Sequence, residues 1–166
     1  MNVIVNNTVI SNLAIVNELD LLRKIIGKVY VTPEVVEEIE NGIAEGHNFQ
    51  NRATNLIEEG EWLLVTELEG RELEIYSELA SKMGIGEASC LAIALTRKWS
   101  FLTDDKRARK FATKHDITLS GSYGVLISSI ENGILLKDEA NELLQMMRRN
   151  RYHSPYPDIE SYSRFR

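Results

Sequence analysis

The chain has 166 residues, of which 43% are hydrophobic and 27% are charged, a composition typical of one globular domain large enough to bury a core. Its net charge of −6 is not that of a dedicated nucleic-acid-binding protein, which is usually basic, although a nuclease with a carboxylate-lined metal site is compatible with it. No apolar run approaches the ~18 residues that span a bilayer, and the start does not resemble a signal peptide. The single cysteine, Cys90, rules out an internal disulfide and a Cys-based zinc site. We therefore expect a cytoplasmic protein with no membrane partner.

Short apolar runs alternate with amphipathic stretches along the chain. The apolar runs predict strands at 2–5, 28–32, 62–66, 100–103 and 117–120. Helical periodicity and capping residues predict helices at 9–13, 19–26, 33–41, 48–59, 69–82, 87–97, 105–115, 121–132 and 137–149. This alternation implies an α/β fold with a parallel sheet covered by helices on both faces. We expect one domain over residues 1–149 and a C-terminal tail over 150–166.

Local signals refine two of these helices. Pro33 is expected at the first position of its helix, where its missing N–H costs nothing, and Gly42 is expected to end that helix. The helix over 69–82 is expected to face the protein with Leu73, Tyr76 and Ala80.

Several common catalytic motifs are absent. The sequence has no P-loop, GxSxG, CxxC or HExxH pattern. Gly84-Ile85-Gly86 begins like a dinucleotide-binding fingerprint, but Ser89 stands in place of the third glycine and no strand precedes the segment. These glycines are therefore expected to stop one helix and start the next. The histidines are isolated in sequence and are expected to lie on the surface: His47, His115 and His153.

Polar residues follow two of the predicted strands. The first strand ends at Asn6-Asn7 and the fourth ends at Asp104-Asp105. Ligands in open α/β sheets bind beyond the carboxyl ends of the strands, so these residues are candidates for a site. One of the two aspartates is also suited to cap the following helix, but two consecutive acids exceed what capping needs.

Two glutamates on helices are placed to join them. Glu87 opens an apolar helix and shares the stripe of Leu91 and Leu95, which faces the sheet. Glu38 lies three residues after Val35, next to the apolar stripe of its own helix. The simpler interpretations are a first-turn Glu favoured by the helix dipole and a member of a solvated acidic face.

Carboxylates that converge in this way repel one another, and some would be protonated in the absence of a cation. Mg²⁺ or Mn²⁺ relieves the repulsion, since both prefer hard oxygen ligands and retain several waters. The candidate metal-binding and catalytic residues are Asn6, Glu38, Glu87, Asp104 and Asp105.

The chain resembles the PIN-domain family of prokaryotic nucleases, which is related to VapC-type toxins. The resemblance covers about residues 2–135 and rests on four segments in order. They are Val3-Ile4-Val5-Asn6-Asn7-Thr8, Pro33-Glu34-Val35-Val36-Glu37-Glu38-Ile39, Gly86-Glu87-Ala88 and Leu102-Thr103-Asp104-Asp105.

The resemblance implies a three-layer α/β/α sandwich with a five-stranded parallel sheet, bound Mg²⁺ or Mn²⁺, and cleavage of single-stranded RNA. It also implies a toxin of a toxin–antitoxin pair, with an antitoxin partner and a homodimeric state. One position departs from the family pattern, because Asn6 stands where the family has its first Asp. An amide oxygen can bind a hard cation or its water but brings no charge.

Basic residues follow the acidic pair along the next predicted helix. Lys106 and Lys110 lie one turn apart and, with Arg107 and Arg109, are candidates for binding the phosphates of the substrate. Thr8 is a candidate for supporting the site by hydrogen bonding. An ordinary exposed face explains the basic residues equally well.

The tail carries Tyr152, Tyr156, Tyr162 and Phe165 among arginines. Aromatic residues between arginines suit base stacking, whereas a tail that packs on its own domain or on a second subunit is an equal alternative.

The sequence is compatible with two functions, and a third is less favoured. The first is a metal-dependent endoribonuclease. The second is a non-catalytic nucleic-acid-binding or regulatory module, motivated by Asn6 and the acidic surface. The third, a phosphatase, is disfavoured because no Asp nucleophile follows the first strand.

Overall fold

The computed structural model describes residues 1–162. In this part of the chain the strands are β1 (Val3–Val5), β2 (Val29–Val31), β3 (Leu63–Val65), β4 (Ser100–Leu102) and β5 (Leu119–Ser120). They form one sheet in the order β3-β2-β1-β4-β5, and every neighbouring pair is parallel. Val5 of β1 is in register with Leu102 of β4. The residues that follow these two strands therefore leave the sheet side by side.

Nine α-helices connect and cover the strands within residues 1–162. They are α1 (Asn7–Ile15), α2 (Asp20–Ile26), α3 (Pro33–Ala44), α4 (Asn51–Glu59), α5 (Arg71–Ala80), α6 (Ile85–Arg97), α7 (Lys106–Lys114), α8 (Ser122–Glu131) and α9 (Lys137–Arg149). Two sets of helices pack among themselves. The first set contains α3, α5, α6 and α7, and the second contains α1, α2, α8 and α9. The predicted three-layer α/β/α fold with a five-stranded parallel sheet is confirmed. None of the described helices is both long and apolar enough to cross a membrane.

The core lies between the sheet and the helix layers. Ile4, Val31 and Phe101 of the strands are fully buried, because both faces of a parallel sheet are covered. Helix α6 is buried on most of its circumference and includes Cys90, which packs in the core. All three histidines are exposed, as predicted.

Helix α3 begins as predicted and ends later. Pro33 occupies its first position, and the side chain of Thr32 accepts a hydrogen bond of 3.1 Å from Val35 N as the N-cap. The prediction that Gly42 ends the helix is wrong, because α3 continues to Ala44. Gly42 is buried, and the side chain of Gln50 packs 3.4 Å from where a Cβ would lie. Gly42 therefore lies inside the helix, close to the side chains of Gln50 and His47.

The inner face of α5 differs from the prediction. Leu73 is 51% exposed, whereas Glu72 is only 5% exposed. The carboxylate of Glu72 accepts hydrogen bonds of 2.6 and 2.8 Å from Arg97 of α6, which hold the pKa of Glu72 below its usual value. Leu79, two turns further on the same side, is buried. A charged pair between helices therefore determined which face of α5 turns inward.

The described part of the tail folds back onto the domain. Ile159 is fully buried and Tyr152 is 8% exposed. The hydroxyl of Tyr152 accepts a hydrogen bond of 3.1 Å from Tyr123 N, and the hydroxyl of Tyr123 donates one of 2.8 Å to Asp158 O. Packing on its own domain is therefore the arrangement seen for this segment. Phe165, Arg164 and Arg166 lie outside the described residues.

Candidate functional site

Asn6 ends β1 and caps α1. Its Oδ1 atom accepts hydrogen bonds from Thr8 N at 3.0 Å and from Thr8 Oγ1 at 2.6 Å, and these use both lone pairs of the amide oxygen. The side-chain nitrogen of Asn6, Nδ2, has no hydrogen-bond partner within residues 1–162. Asn6 Oδ1, which was predicted to ligate a metal, serves as the N-cap of α1, and an N–H₂ group cannot ligate a cation.

Thr8 joins the ends of β1 and β4. Besides donating to Asn6, its hydroxyl accepts a hydrogen bond of 2.9 Å from Asp104 N and lies 3.5 Å from Thr103 Oγ1. The two loops at the carboxyl ends of the central strands are thereby held together. The predicted supporting role of Thr8 is consistent with this geometry.

The two consecutive aspartates point in different directions. Asp105 is the N-cap of α7, and its Oδ1 accepts a hydrogen bond of 2.8 Å from Ala108 N. Asp104 turns toward α1 and α8, where it accepts hydrogen bonds of 2.8 Å from both Asn12 Nδ2 and Ser122 N, and a third from Ser122 Oγ. Asp104 thus fixes the start of α8, whereas the two aspartates were not assigned separate roles from their sequence.

Glu38 of α3 and Glu87 of α6 lie together at the start of α6. Both side chains are half-buried. The Gly86 backbone lies against the Glu38 carboxylate and lowers its pKa, as the free amides at a helix N-terminus do for an anion. A Cβ atom on Gly86 would overlap Glu38 Oε1, and one on Gly84 would overlap Glu87 Oε2. The two glycines are what allow both carboxylates to lie against the backbone.

The electrostatics of this pair are unfavourable for two ionised carboxylates. Burial and the nearby charge of Glu87 raise the pKa of Glu38 to about 7. Burial also raises the pKa of Glu87, the charge of Asp105 adds to this effect, and Arg107 opposes it. Glu87 Oε2 is buried and has no hydrogen-bond partner among residues 1–162. A cation bound beside these two carboxylates would stabilise their ionised forms.

A cavity of about 1050 Å³ lies beside α7, and neither Glu38 nor Glu87 is among its lining residues. Lys110 does not line the cavity, whereas six other predicted site residues do: Thr8, Asp104, Asp105, Lys106, Arg107 and Arg109. Arg109 Nη1 donates a hydrogen bond of 2.7 Å to Thr103 O. The segment 151–155 of the tail, for which base stacking was one of the predicted roles, forms another wall of the cavity.

Comparison with known proteins places the chain in a family. The family model described as "DUF3368: PIN domain" matches residues 2–161. The chain belongs to the PIN-domain family. No curated protein matches it. A solved structure, VapBC2 from Rickettsia felis bound to a DNA fragment from their promoter, is similar at 17% identity with a TM-score of 0.49, covering 72% of this chain and 98% of that one.

The acids of this PIN domain do not all converge. Within residues 1–162, no group of three or more His, Cys, Asp or Glu side chains is arranged to hold a metal ion. Glu38 and Glu87 form a pair, Asp105 is near enough to Glu87 to affect its pKa, and Asp104 is bound to Asn12 and Ser122. A pair is nevertheless sufficient for a hydrated ion, because Mg²⁺ is usually bound through one or two carboxylates and keeps several waters.

The raised pKa of Glu38 predicts a pH dependence for the stability of the metal-free PIN domain. The unfolded chain releases this proton near pH 4.5 and the folded protein near pH 7, so the folded state binds more protons between these values. Stability should therefore fall as pH rises from about 4.5 to 7. Thermal unfolding in EDTA between pH 5 and 8 measures this. The Glu38→Gln variant should show a flatter profile, and parallel profiles for the two proteins would refute the assignment.

Proposed function

We propose that this PIN domain is a metal-dependent endoribonuclease that cleaves single-stranded RNA, with Mg²⁺ or Mn²⁺ held by Glu38 and Glu87. The observation that carries the proposal is the pair itself. Two half-buried carboxylates lie side by side at the N-terminus of α6, and one oxygen of Glu87 is buried without a partner. No cation of the protein forms a salt bridge with either carboxylate within the described residues.

The surrounding residues have separate roles in this proposal. A bound divalent cation would acidify a water and stabilise charge on the phosphate. Glu38 and Glu87 hold it, and Asp105 has a second oxygen that takes no hydrogen bond within residues 1–162. Asp104, through Ser122 and Asn12, fixes the loop that carries Asp105. On the cavity wall, Lys106, Arg107 and Arg109 are placed to bind phosphates.

A cleavage assay tests the proposal. Purified protein is incubated with end-labelled single-stranded RNA, with double-stranded RNA and with single-stranded DNA, each in Mn²⁺, in Mg²⁺ and in EDTA. We expect cleavage of single-stranded RNA with either metal and none in EDTA. Cleavage in EDTA would refute the metal mechanism, and the absence of cleavage of any RNA would refute the nuclease assignment.

A non-catalytic RNA-binding or regulatory module is the second candidate, and the orientation of Asn6 favours it. The Asn6 oxygen caps α1, so its amide nitrogen stands where the second oxygen of an Asp would be. The Asn6→Asp substitution keeps the cap and adds an anionic oxygen. We expect it to raise Mn²⁺ affinity by roughly 10-fold, measured by calorimetric titration.

The same variant separates the two candidates. An active wild-type protein whose rate changes little in Asn6→Asp supports the nuclease. An inactive wild-type protein that gains cleavage through Asn6→Asp identifies a silenced nuclease scaffold. Unchanged Mn²⁺ affinity would show that position 6 does not face the metal.

The family resemblance extends the proposal to partners. We propose that the protein acts as the toxin of a toxin–antitoxin pair, binds an antitoxin protein and forms a homodimer. Light scattering of the purified protein tests the dimer. Co-expression with the product of a small neighbouring reading frame tests the antitoxin, which should suppress both growth inhibition and RNA cleavage.

A further inference from the structure

The cavity beside α7 has two walls of positive charge. Lys106, Arg107 and Arg109 lie on the side of α7, and Arg151 and His153 lie on the wall formed by the segment 151–155. The cavity measures about 1050 Å³, at the upper end of the ~300–1,000 Å³ that encloses drug-sized ligands. It therefore has room for more than one nucleotide unit.

The positive charge of these walls is not neutralised by the protein. Within residues 1–162 the salt bridges are Arg23–Asp20 and Arg97–Glu72, so none of the four cationic side chains of the cavity is in one. Two acids, Asp104 and Asp105, also line the cavity, so its four cationic side chains outnumber its carboxylates. Arg107 and Arg109 each donate one hydrogen bond to a backbone carbonyl and keep further N–H groups for an anionic ligand.

The segment that carries Arg151 is held in place. Arg151 adopts φ +75°, in the left-handed region that side chains other than glycine rarely occupy. Such a conformation persists only where the surroundings impose it. Here the next residue imposes it, since Tyr152 is buried and is bound through its hydroxyl to Tyr123 N. Arg151 is thus presented at the cavity by a fixed backbone.

Two residues connect the cavity to the carboxylate pair, although neither Glu38 nor Glu87 lines it. Asp105 and Arg107 both line the cavity, and both act electrostatically on Glu87. A polyanion whose reacting phosphate lies at Glu38 and Glu87 would pass these two residues on entering the cavity.

We propose that this cavity holds the sugar–phosphate backbone of single-stranded RNA on one side of the scissile phosphate, and that Arg151 and His153 bind its phosphates from the wall opposite α7. The inference rests on the proposed nuclease function and names the substrate subsite. It assigns a binding role to the C-terminal segment, which contributes no residue to the carboxylate pair.

Binding in the absence of cleavage tests this subsite. The full-length protein is titrated with a fluorescein-labelled 12-nucleotide single-stranded RNA in EDTA, and anisotropy is followed from low to moderate salt. Arg151→Gln should weaken binding about 3- to 10-fold at low salt and reduce the slope of log K against log salt by about 1. Arg151→Gly should weaken RNA binding as Arg151→Gln does. It is expected to fold well, because glycine accepts the positive φ without strain.

Arg52→Gln is the matched control. Arg52 is exposed on α4, which packs against β3 at the opposite edge of the sheet from β5, and its replacement changes the net charge by the same amount. Its affinity and salt slope should stay close to those of the wild-type protein. His153→Gln should weaken binding in the same direction as the Arg151 variants.

The outcomes distinguish this subsite from the nuclease assignment. Wild-type cleavage with equal salt slopes for Arg151→Gln and Arg52→Gln would overturn the subsite alone. Arg151-dependent binding without any cleavage would overturn the nuclease assignment and leave the subsite standing. Displacement of the RNA by polyglutamate at equal charge concentration would overturn it in favour of an acidic protein partner.

Discussion

Replacing Glu87 by Gln is expected to reduce metal-dependent RNA cleavage by at least about 100-fold, the scale of effect that follows from misplacing a reacting group. The substitution keeps the size of the side chain but removes one of the two charges that face each other at the start of α6. A neutral amide holds a divalent cation far less well than a carboxylate does, so Mn²⁺ affinity should fall with the rate.

The same change should stabilise the metal-free protein. Burial is the first cause of the raised pKa of Glu38 and the charge of Glu87 is the second. Removing that charge lowers the pKa of Glu38 from about 7 toward its usual value and relieves the repulsion at neutral pH. Thermal unfolding in EDTA at pH 8 should therefore occur at a higher temperature in Glu87→Gln, whereas the rise in unfolding temperature on adding Mn²⁺ should be smaller.

Glu40→Gln provides the control for charge. Glu40 is exposed on α3, the helix that also carries Glu38, and its replacement removes one negative charge from the protein surface. Its cleavage rate and its response to Mn²⁺ should match those of the wild-type protein. Full activity in Glu87→Gln would show that this carboxylate takes no part in the reaction.

The fold and the carboxylate pair could both be predicted from the sequence because both follow from local patterns. Strand runs of two to three buried residues and helices with one apolar stripe are local patterns, and they determine which end of the sheet each loop occupies. Glu38 and Glu87 each lie next to such a stripe, so the prediction that they face the strand ends required no knowledge of long-range contacts. The structure brings these two residues together.

The remaining details depend on contacts that no local pattern encodes. Asp104 binds Asn12, 92 residues earlier in the chain, and Ser122, 18 residues later. Either aspartate could have capped α7 by composition alone, and only these partners separate their roles. The wall formed by Arg151 and His153 depends likewise on the burial of Tyr152 against α8. The tail has no sequence periodicity from which this burial could be predicted. Glu72 faces inward because Arg97 lies opposite it, an interaction between two helices.

Gly86 is expected to be needed for activity and dispensable for folding. It is buried in the first turn of α6, and an added Cβ would overlap Glu38 Oε1. The atom that must move is the far end of a flexible side chain, so the Gly86→Ala protein can fold by turning the Glu38 carboxylate away. Alanine also favours the helix over glycine by up to about 1 kcal/mol, which offsets part of the rearrangement.

The displaced carboxylate should no longer meet Glu87 in the same geometry. Supporting residues that orient a metal ligand typically contribute about 10- to 100-fold to affinity or activity, and we expect a loss of cleavage in this range for Gly86→Ala. The unfolding temperature in EDTA should change by only a few degrees, as expected for a change of about 1 kcal/mol or less. Stability and cleavage rate, measured on the same preparation, separate the two effects.

Gly42→Ala is the matched control for Gly86→Ala. Gly42 is also a buried helical glycine, in the helix that carries Glu38, and a Cβ there would lie 3.4 Å from the Gln50 side chain, with no carboxylate near it. Its cleavage rate should match that of the wild-type protein. Equal activity in the two alanine variants would show that contact between Gly86 and Glu38 does not position the carboxylate. A Gly86→Ala protein that loses its fold together with its activity would instead make Gly86 a packing residue, because turning one side chain aside cannot unfold the domain.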